Sequence, residues 1–285
     1  MSEKMEMKDY KSGIRPIWCL GCGDFGALSG IYRALAELNL DPHKLVNVSG
    51  IGCSSRTPYF LKAYGMHTLH GRAGPVATGV QLARPDLKVL VTGGDGDGFS
   101  IGGGHMPHMA RTNVNITYVL MDNHIYGLTK GQGSPTSRRE MKAYSTPYGS
   151  TEEPMNPLLY MLTYGATYVA QAFAGDPKMC AELIKGGLEH EGFAYVHILT
   201  QCPTFNKLDT ADYFKDIIKD VPKKHDVTNI RKSIRLIYKF KDKEPVGLLY
   251  KTRRSTLDEC MADFVRQAGG SSDYDIRKII NLSRP

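Results

Sequence analysis

Apolar residues in this chain fall into short runs that end in glycine and alternate with stretches of helical periodicity. Gly30 to Leu40 places Ile31, Leu35 and Leu38 near one face, the spacing of an amphipathic helix. Leu45 to Val48 reads as a short apolar strand ending in Ser49-Gly50. Gly74 to Ala83 is helical and rich in small residues, and Leu87 to Thr92 is a β-branched apolar strand closed by Gly93-Gly94. A helix over Gly103 to Arg111 precedes a second buried strand, Ile116 to Met121. Helices over Pro157 to Tyr164 and Pro177 to Glu189 then flank strands at Ala166 to Ala170 and Phe193 to Leu199. Strands that are apolar throughout and alternate with helices predict an α/β fold, its sheet mainly parallel and covered by helices on both faces.

Two regions break this rhythm. Residues 132–157 are rich in Ser, Thr, Pro and Glu and read as a long surface loop, a kind of segment that is often functional. After Pro203 helical signal weakens and charge rises, and Ile234 to Phe240 with Pro245 to Tyr250 reads as a hairpin. The chain is therefore divided into a domain over 1–202 and a C-terminal extension over 203–285, which packs on the core or on a partner.

Composition narrows the classes. With 41% hydrophobic residues, the 285-residue chain can bury a sizeable core, and one large α/β domain with extensions fits better than two equal ones. A net charge of +7 points to nucleic acid, an acidic protein or anionic ligands. Much of that charge lies in late pairs such as Lys223-Lys224, Arg231-Lys232 and Arg253-Arg254, which read as solvated surface. No nucleic-acid motif or aromatic-interleaved basic stripe accompanies it, so a nucleic-acid partner is not expected. Met1 to Arg15 is polar, and runs such as Leu87 to Val91 are too short to span a bilayer. These features give an expectation of a cytoplasmic protein without a membrane partner. In that compartment the six cysteines are expected to be metal or redox groups, where they cluster, rather than disulfides.

Candidate chemistry concentrates in two places. The first is Val89 to Gly98, which reads as strand, glycine turn and helix. Glycines such as Gly94 and Gly96 let backbone N–H groups approach phosphate oxygens, and a helix N-terminus favours negative charge. Asp95 in this turn suits a divalent cation held against phosphate, and Asp97 either supports the site or is a solvated turn carboxylate. A second strand ends at Asp122-Asn123, at the sheet edge where open α/β folds bind ligands. Hard oxygens from Asp95, Asn123 and a loop carbonyl, with phosphate and water, complete the octahedron that magnesium demands. A dinucleotide fingerprint over Gly98 to Gly104 is disfavoured, because no acidic residue follows at the ribose distance. The second place is the cysteine set: a C-x-x-C pair at Cys19 and Cys22, then Cys53 after one strand and Cys202 after another. Spacing alone admits either an iron–sulfur cluster or structural zinc. Cys180 and Cys260 fall outside the set and read as structural.

These motifs carry a resemblance. Gly-Asp-Gly at 94–96, followed beyond residues 97–121 by Asp122-Asn123, resembles the thiamine diphosphate signature. Together with Cys22-Gly-Asp-Phe-Gly26, Gly50-Ile-Gly-Cys-Ser-Ser-Arg56, His67-Thr-Leu-His-Gly-Arg-Ala73 and Asp122-Asn-His-Ile-Tyr-Gly-Leu-Thr-Lys-Gly-Gln132, it resembles the β subunits of 2-oxoacid:ferredoxin oxidoreductases over roughly residues 15–205. The resemblance implies a thiamine diphosphate-binding fold in the first domain, with Asp95, Asn123 and the Ile125 carbonyl as magnesium ligands. Many relatives carry Asn-Asn where this chain has Asp122-Asn123, so only Asn123 is carried over. Gly52, Gly71, Arg72, Gly94, Gly96, Asp97, Gly127 and Leu128 are the further expected cofactor contacts. Cys19, Cys22, Cys53 and Cys202 become the ligands of one 4Fe-4S cluster. Arg56 and Lys130 suit substrate carboxylates, and His70 faces the cofactor.

The implied activity is oxidative decarboxylation of a 2-oxoacid, with 2-oxoglutarate favoured over pyruvate or a broad range. Coenzyme A takes the acyl group and ferredoxin the electrons, and the reaction is reversible in principle. A non-oxidative thiamine decarboxylase is the rival enzyme class. In the family the Glu that activates the cofactor lies on an α subunit, so an α partner is expected, as an αβ pair or its dimer.

Overall fold

The computed structural model describes residues 4–267 except 144 and 241, together with residue 281. Helices α1 (Asp24–Leu38), α2 (Thr57–Phe60) and α3 (Ala73–Ala83) are followed by α4 (Met106–Thr112), α5 (Pro157–Thr163) and α6 (Pro177–Glu189), then α7 (Ala211–Ile217), α8 (Ile230–Phe240) and α9 (Leu257–Gln267). Strands β1 (Leu45–Ser49), β2 (Tyr64–His67), β3 (Lys88–Gly94), β4 (Ile116–Asp122), β5 (Tyr168–Phe173), β6 (Ala194–Leu199), β7 (Ile218–Asp220) and β8 (Glu244–Lys251) form one sheet in the order β2-β1-β3-β4-β6-β5-β8-β7. The five expected strands are all present, within a few residues of their predicted ends.

β4 explains why a largely apolar run is a strand here. Its alternate residues face opposite layers. Val119 and Met121 join Ile31, Leu35, Ile184 and Ile198 under α1 and α6. Ile116, Tyr118 and Leu120 join Val89, Val91, Met106 and Met161 on the other face. Both faces are dry, and every residue of the strand, Thr117 included, is buried. Burying each such side chain stabilises the fold by roughly 1.5–3 kcal/mol relative to leaving it exposed. On the first face a Cβ on Gly30 would lie 2.6 Å from that of Cys180, so α1 and α6 pack almost backbone to backbone. Cys180 is buried, and its thiol donates to the Phe173 carbonyl at 3.4 Å, in keeping with the structural role read for it.

Register decides where the loops emerge. Ser49 pairs with Thr92, Gly94 with Met121, and Asp122 with Leu199, all in parallel. The segments after β1, β3, β4 and β6 therefore leave the same edge of the sheet. β1 lies between β2 and β3, so successive crossovers diverge there and open a crevice, the usual ligand position in such sheets.

Some predicted features are corrected. Ile234 to Phe240 is not a hairpin arm; it belongs to α8, and Ile230, Ile234 and Ile237 pack under the sheet at helical spacing. Pro245 to Tyr250 is a strand as expected, but it pairs antiparallel with β5, inside the main sheet. β2 went unrecognised because all four of its residues are exposed and carry no apolar pattern. The 132–157 segment is a loop, but its first third is not all surface, since Thr136, Ser137 and Met141 are buried.

A buried polar knot closes the C-terminal side. Thr167 Oγ1 donates to Asn113 Oδ1 at 2.7 Å, so His190 Nε2 donates to Thr167 Oγ1 at 2.8 Å. Burial, with Lys251 and Arg253 nearby, pushes His190 down to about 4. A depressed histidine is neutral in the fold, and its contribution is complete above pH 6.5 and lost as pH falls toward 4. Thermal melts should therefore show a loss on the order of 1–2 kcal/mol from this group by pH 5. The His190→Gln variant, which keeps a donor to Thr167, should show a shallower fall between pH 7 and 5.

Candidate cofactor and metal site

The crevice at the carboxyl edge contains a cavity lined by Ile51, Gly52, Cys53, His70, Asp95 and Asn123, with Gly94, Gly96, Asp97 and the 125–129 turn completing the wall. Glycine is required for space at Gly96, and at Gly71 beside the cavity. A Cβ on Gly96 would sit 2.3 Å from the Tyr126 ring, whose hydroxyl donates to the Gly96 carbonyl at 3.1 Å. Gly71 has φ +69, and a Cβ there would meet the Gly102 nitrogen at 2.5 Å.

Asp97 ties three loops together. Its Oδ1 accepts from the backbone N–H of Ile51 at 2.9 Å and of Gly71 at 2.7 Å, and His70 Nδ1 lies 3.9 Å away. It is only 2% exposed, which excludes the solvated-turn alternative. Burial raises its pKa, while the two backbone donors oppose that rise. The side chain begins a single π-helical turn over Asp97–Ile101, an irregularity often found at functional sites.

Asp95 and Asp122 form a buried acidic pair at the ends of β3 and β4. Burial and the neighbouring Asp122 push Asp95 up to about 7. For Asp122, burial acts upward, but His124 and His197 outweigh it and hold the group down to about 2. Asp122 Oδ2 is 2.9 Å from His197 Nε2, and His197 Nδ1 is 2.5 Å from Gln171 Oε1. His124 itself is opposed by burial, yet Asp122 and Asp209 lift it to about 10. Asp95, the member of the pair that lines the cavity, has no ion-pair partner among the described residues, so a nearby positive charge would favour its ionised form.

The turn after β4 offers matching oxygens. Asn123 Oδ1 accepts from the Ile125 N–H at 3.1 Å, with His124 between them in the left-handed region at φ 57. The carbonyl of Asp122 accepts from Thr200, that of Asn123 from Asn206, that of His124 from Ser137, that of Tyr126 from Gly131 and that of Gly127 from Lys130. The Ile125 carbonyl alone in this run accepts from no donor among the described residues. An under-neutralised carboxylate, a side-chain amide oxygen and a free carbonyl are the donor set that a hard divalent cation takes. The residues fit magnesium.

Cys53 lines the same cavity, and Cys202 lies against Gly127 of its wall. The Trp18 indole donates to the Cys53 carbonyl at 2.7 Å, Gly23 N–H to the Gln201 carbonyl at 3.0 Å, and Gln201 Nε2 to the Gly21 carbonyl at 2.9 Å. The loop before α1 is thereby clasped to the segment after β6. A Cβ on Gly127 would lie 3.5 Å from Cys202 Sγ and 3.9 Å from Cys53 Sγ, so both sulfurs border the wall that also carries Asn123. Burial and Asp24 push the Cys22 thiol far above the usual range, and burial pushes Cys53 up to about 11. Thiolates here need a metal centre to offset desolvation. Among the described residues no three His, Cys, Asp or Glu side chains are gathered closely enough to hold one ion.

Residues 50–198 match the family model for the C-terminal TPP-binding domain of thiamine pyrophosphate enzymes, and 202–265 match that for the C-terminal part of the pyruvate ferredoxin oxidoreductase β subunit. The chain is 43% identical over 260 residues to 2-oxoacid:ferredoxin oxidoreductase 2, subunit beta, of Aeropyrum pernix, covering 87% of this chain and 84% of that one. The chain belongs to the family of 2-oxoacid:ferredoxin oxidoreductase β subunits. It is 49% identical over 199 residues to the 2-oxoglutarate oxidoreductase subunit KorB of Mycobacterium tuberculosis, which covers 70% of this chain and 53% of that protein. A solved 2-oxoglutarate:ferredoxin oxidoreductase from Magnetococcus marinus, with 2-oxoglutarate, coenzyme A and succinyl-CoA bound, superposes with a TM-score of 0.95 at 65% identity over 99% of this chain and 97% of that chain. As a β subunit of this family, the chain is part of an oxidoreductase and works with an α subunit.

The remaining predicted residues of this β subunit fall into different settings. Arg56 is half-buried and lines a second cavity with Arg15, Tyr59 and His67, which shares Ile51, Gly52 and Leu128 with the first. His70 lines the first cavity. The Arg72 guanidinium points to the Gly71 and Ile101 carbonyls at 3.4 and 3.5 Å and lines neither cavity. Lys130 is exposed, with φ 77, and also lines neither. Sequence reasoning missed Thr136, His197, Asn206 and Asp209, and left Asp122 without a role. Only Asp122, directly beside Asn123, had a local signal.

Gly71→Ala tests the loop geometry. The left-handed conformation costs a residue with a Cβ roughly 1–2 kcal/mol, and the clash with Gly102 adds to it. The variant should melt several degrees lower and expose the 70–72 loop to limited proteolysis.

Proposed function

We propose that this chain, paired with its α subunit, carries out the coenzyme A-dependent oxidative decarboxylation of 2-oxoglutarate to succinyl-CoA and CO2. Electrons leave through one 4Fe-4S cluster on Cys19, Cys22, Cys53 and Cys202 to ferredoxin. The carrying observation is that Asp95, Asn123, Ile125 and Gly127 line one cavity with Cys53, and that Gly127 lies against the sulfurs of Cys53 and Cys202. A cation site and a sulfur site thus share one turn of the chain. The Magnetococcus marinus neighbour, with its 2-oxoglutarate, coenzyme A and succinyl-CoA, supports the choice of substrate.

Asp95, Asn123 and the Ile125 carbonyl hold magnesium, which anchors the diphosphate of thiamine diphosphate. Gly52, Gly94 and Gly96 let the backbone close on that diphosphate, and Asp97 holds the Gly52 and Gly71 loops in register around it. Thiamine diphosphate supplies the chemistry of decarboxylation when bound. Arg56 meets a substrate carboxylate from the adjoining cavity, where a guanidinium suits paired N–H···O contacts. Leu69, Ile101 and Leu128 are 77%, 55% and 41% exposed beside the mouth, an apolar rim suited to cover by the α subunit. No described helix is long and apolar enough to cross a membrane.

Three measurements test this reading on the co-expressed αβ complex. Prepared without oxygen, it should absorb broadly near ~400 nm and bleach with dithionite. Colourless protein, or colour unchanged in Cys22→Ala and Cys202→Ala, sinks the cluster. Asp95→Asn should lose magnesium-dependent retention of thiamine diphosphate. Arg56→Ala should lower kcat/KM for 2-oxoglutarate by about tenfold or more, the scale of a lost charge-assisted hydrogen bond. Faster turnover of pyruvate than of 2-oxoglutarate by the wild type would overturn the substrate assignment.

A further inference from the structure

Thr136 is a loop residue, 4% exposed, whose hydroxyl oxygen lies 3.0 Å from Asp95 Oδ2 and 2.8 Å from Asp122 Oδ1. A hydroxyl has one proton, so that proton is shared between two carboxylates from adjacent strand ends. Oδ2 of Asp95 is thus the oxygen turned to Thr136 and Asp122. Thr136 does not need this contact to hold its own loop. Ser137 Oγ donates to the His124 carbonyl at 2.5 Å, Met155 N–H donates to the Pro135 carbonyl at 2.9 Å, and Arg138 pairs with Asp209 at 3.0 Å. Met141 adds packing against Ile125 and Cys202. The loop is anchored on both sides of Thr136, which leaves its hydroxyl to act on the acids.

We propose that Thr136 is a positioning residue for the cation site, fixing the Asp95 carboxylate against Asp122 so that one oxygen faces the metal. The proposal rests on the reading of Asp95 as a magnesium ligand. The acids sit on two strands whose spacing the sheet fixes, whereas their side-chain rotation is not set by the sheet. Asp122 is locked by His197 and by the His124 N–H. The Asp95 carboxylate is tied to this locked acid through the Thr136 hydroxyl. A long loop, not a strand, thereby finishes the metal site, and its anchors to His124 and Asp209 tie that finish to the segment that carries Cys202.

The test uses αβ complexes stripped of cation and cofactor, then titrated with magnesium at fixed thiamine diphosphate; cofactor retained after gel filtration is the readout. Thr136→Val keeps the shape and removes the hydroxyl. Its half-saturating magnesium concentration should rise about tenfold, while Thr136→Ser stays within about twofold of the wild type. Melting temperatures of the three stripped complexes should agree, since the loop keeps its other anchors. Wild-type titration by Thr136→Val overturns the proposal. So does a Ser variant that titrates like Val, because the hydroxyl is then not the agent. Should Thr136→Val not assemble, Thr136→Ala measured against Thr136→Ser reads the same difference. A wild-type complex that retains cofactor without regard to magnesium overturns the underlying cofactor reading, and this inference with it.

Discussion

Two carboxylates, Asp95 and Asp122, are buried side by side at the end of a parallel sheet, and most of the site is arranged around that fact. Like charges in a low-dielectric interior cannot both remain ionised without compensation. Asp122 receives it from His124 and His197, and these histidines are in turn held by Asp209 and Gln171. Among the described residues Asp95 has hydroxyl contacts but no ion pair, and it stays raised to about 7. The asymmetry leaves one acid settled and the other needing a positive charge, on the side where the cavity lies. Compensation on both would have given an inert polar core.

The same economy of placement links the two candidate centres. Asn206 donates to the Asn123 carbonyl and to Asp209, and Asp209 accepts from His124. These contacts join the turn after β4 to the turn after β6, which carries Cys202. The Gly23–Gln201 and Trp18–Cys53 hydrogen bonds bring in the loop before α1 and the loop after β1. The distance between cation site and sulfur site is therefore set by short, mutually braced turns on a rigid sheet edge.

Beyond the site, the C-terminal third is woven into the core. β8 runs antiparallel to β5, and α8 packs Ile230, Ile234 and Ile237 beneath the sheet. β7 then shields the β8 edge. Residues 202–265 match a family model of their own, yet physically they extend the sheet that residues 45–199 begin.

What the residues determined unaided was the frame and the chemistry at its strand ends. Apolar runs buried on both faces can only be interior strands, so the parallel sheet was legible. So were the Gly-Asp-Gly turn, Asn123 and the C-x-x-C pair, because each motif is local and its spacing carries meaning. Tertiary structure decided what depends on distant partners. Thr136 meets Asp95 across forty-one residues and His197 meets Asp122 across seventy-five, and no periodicity in a polar loop or an apolar strand announces such a meeting. α8 was misread because its basic face hid a clear i, i+4, i+7 series, and β2 because an exposed edge strand needs no apolar pattern. Local pattern records which face a segment buries; only the folded chain records which polar groups must then satisfy one another.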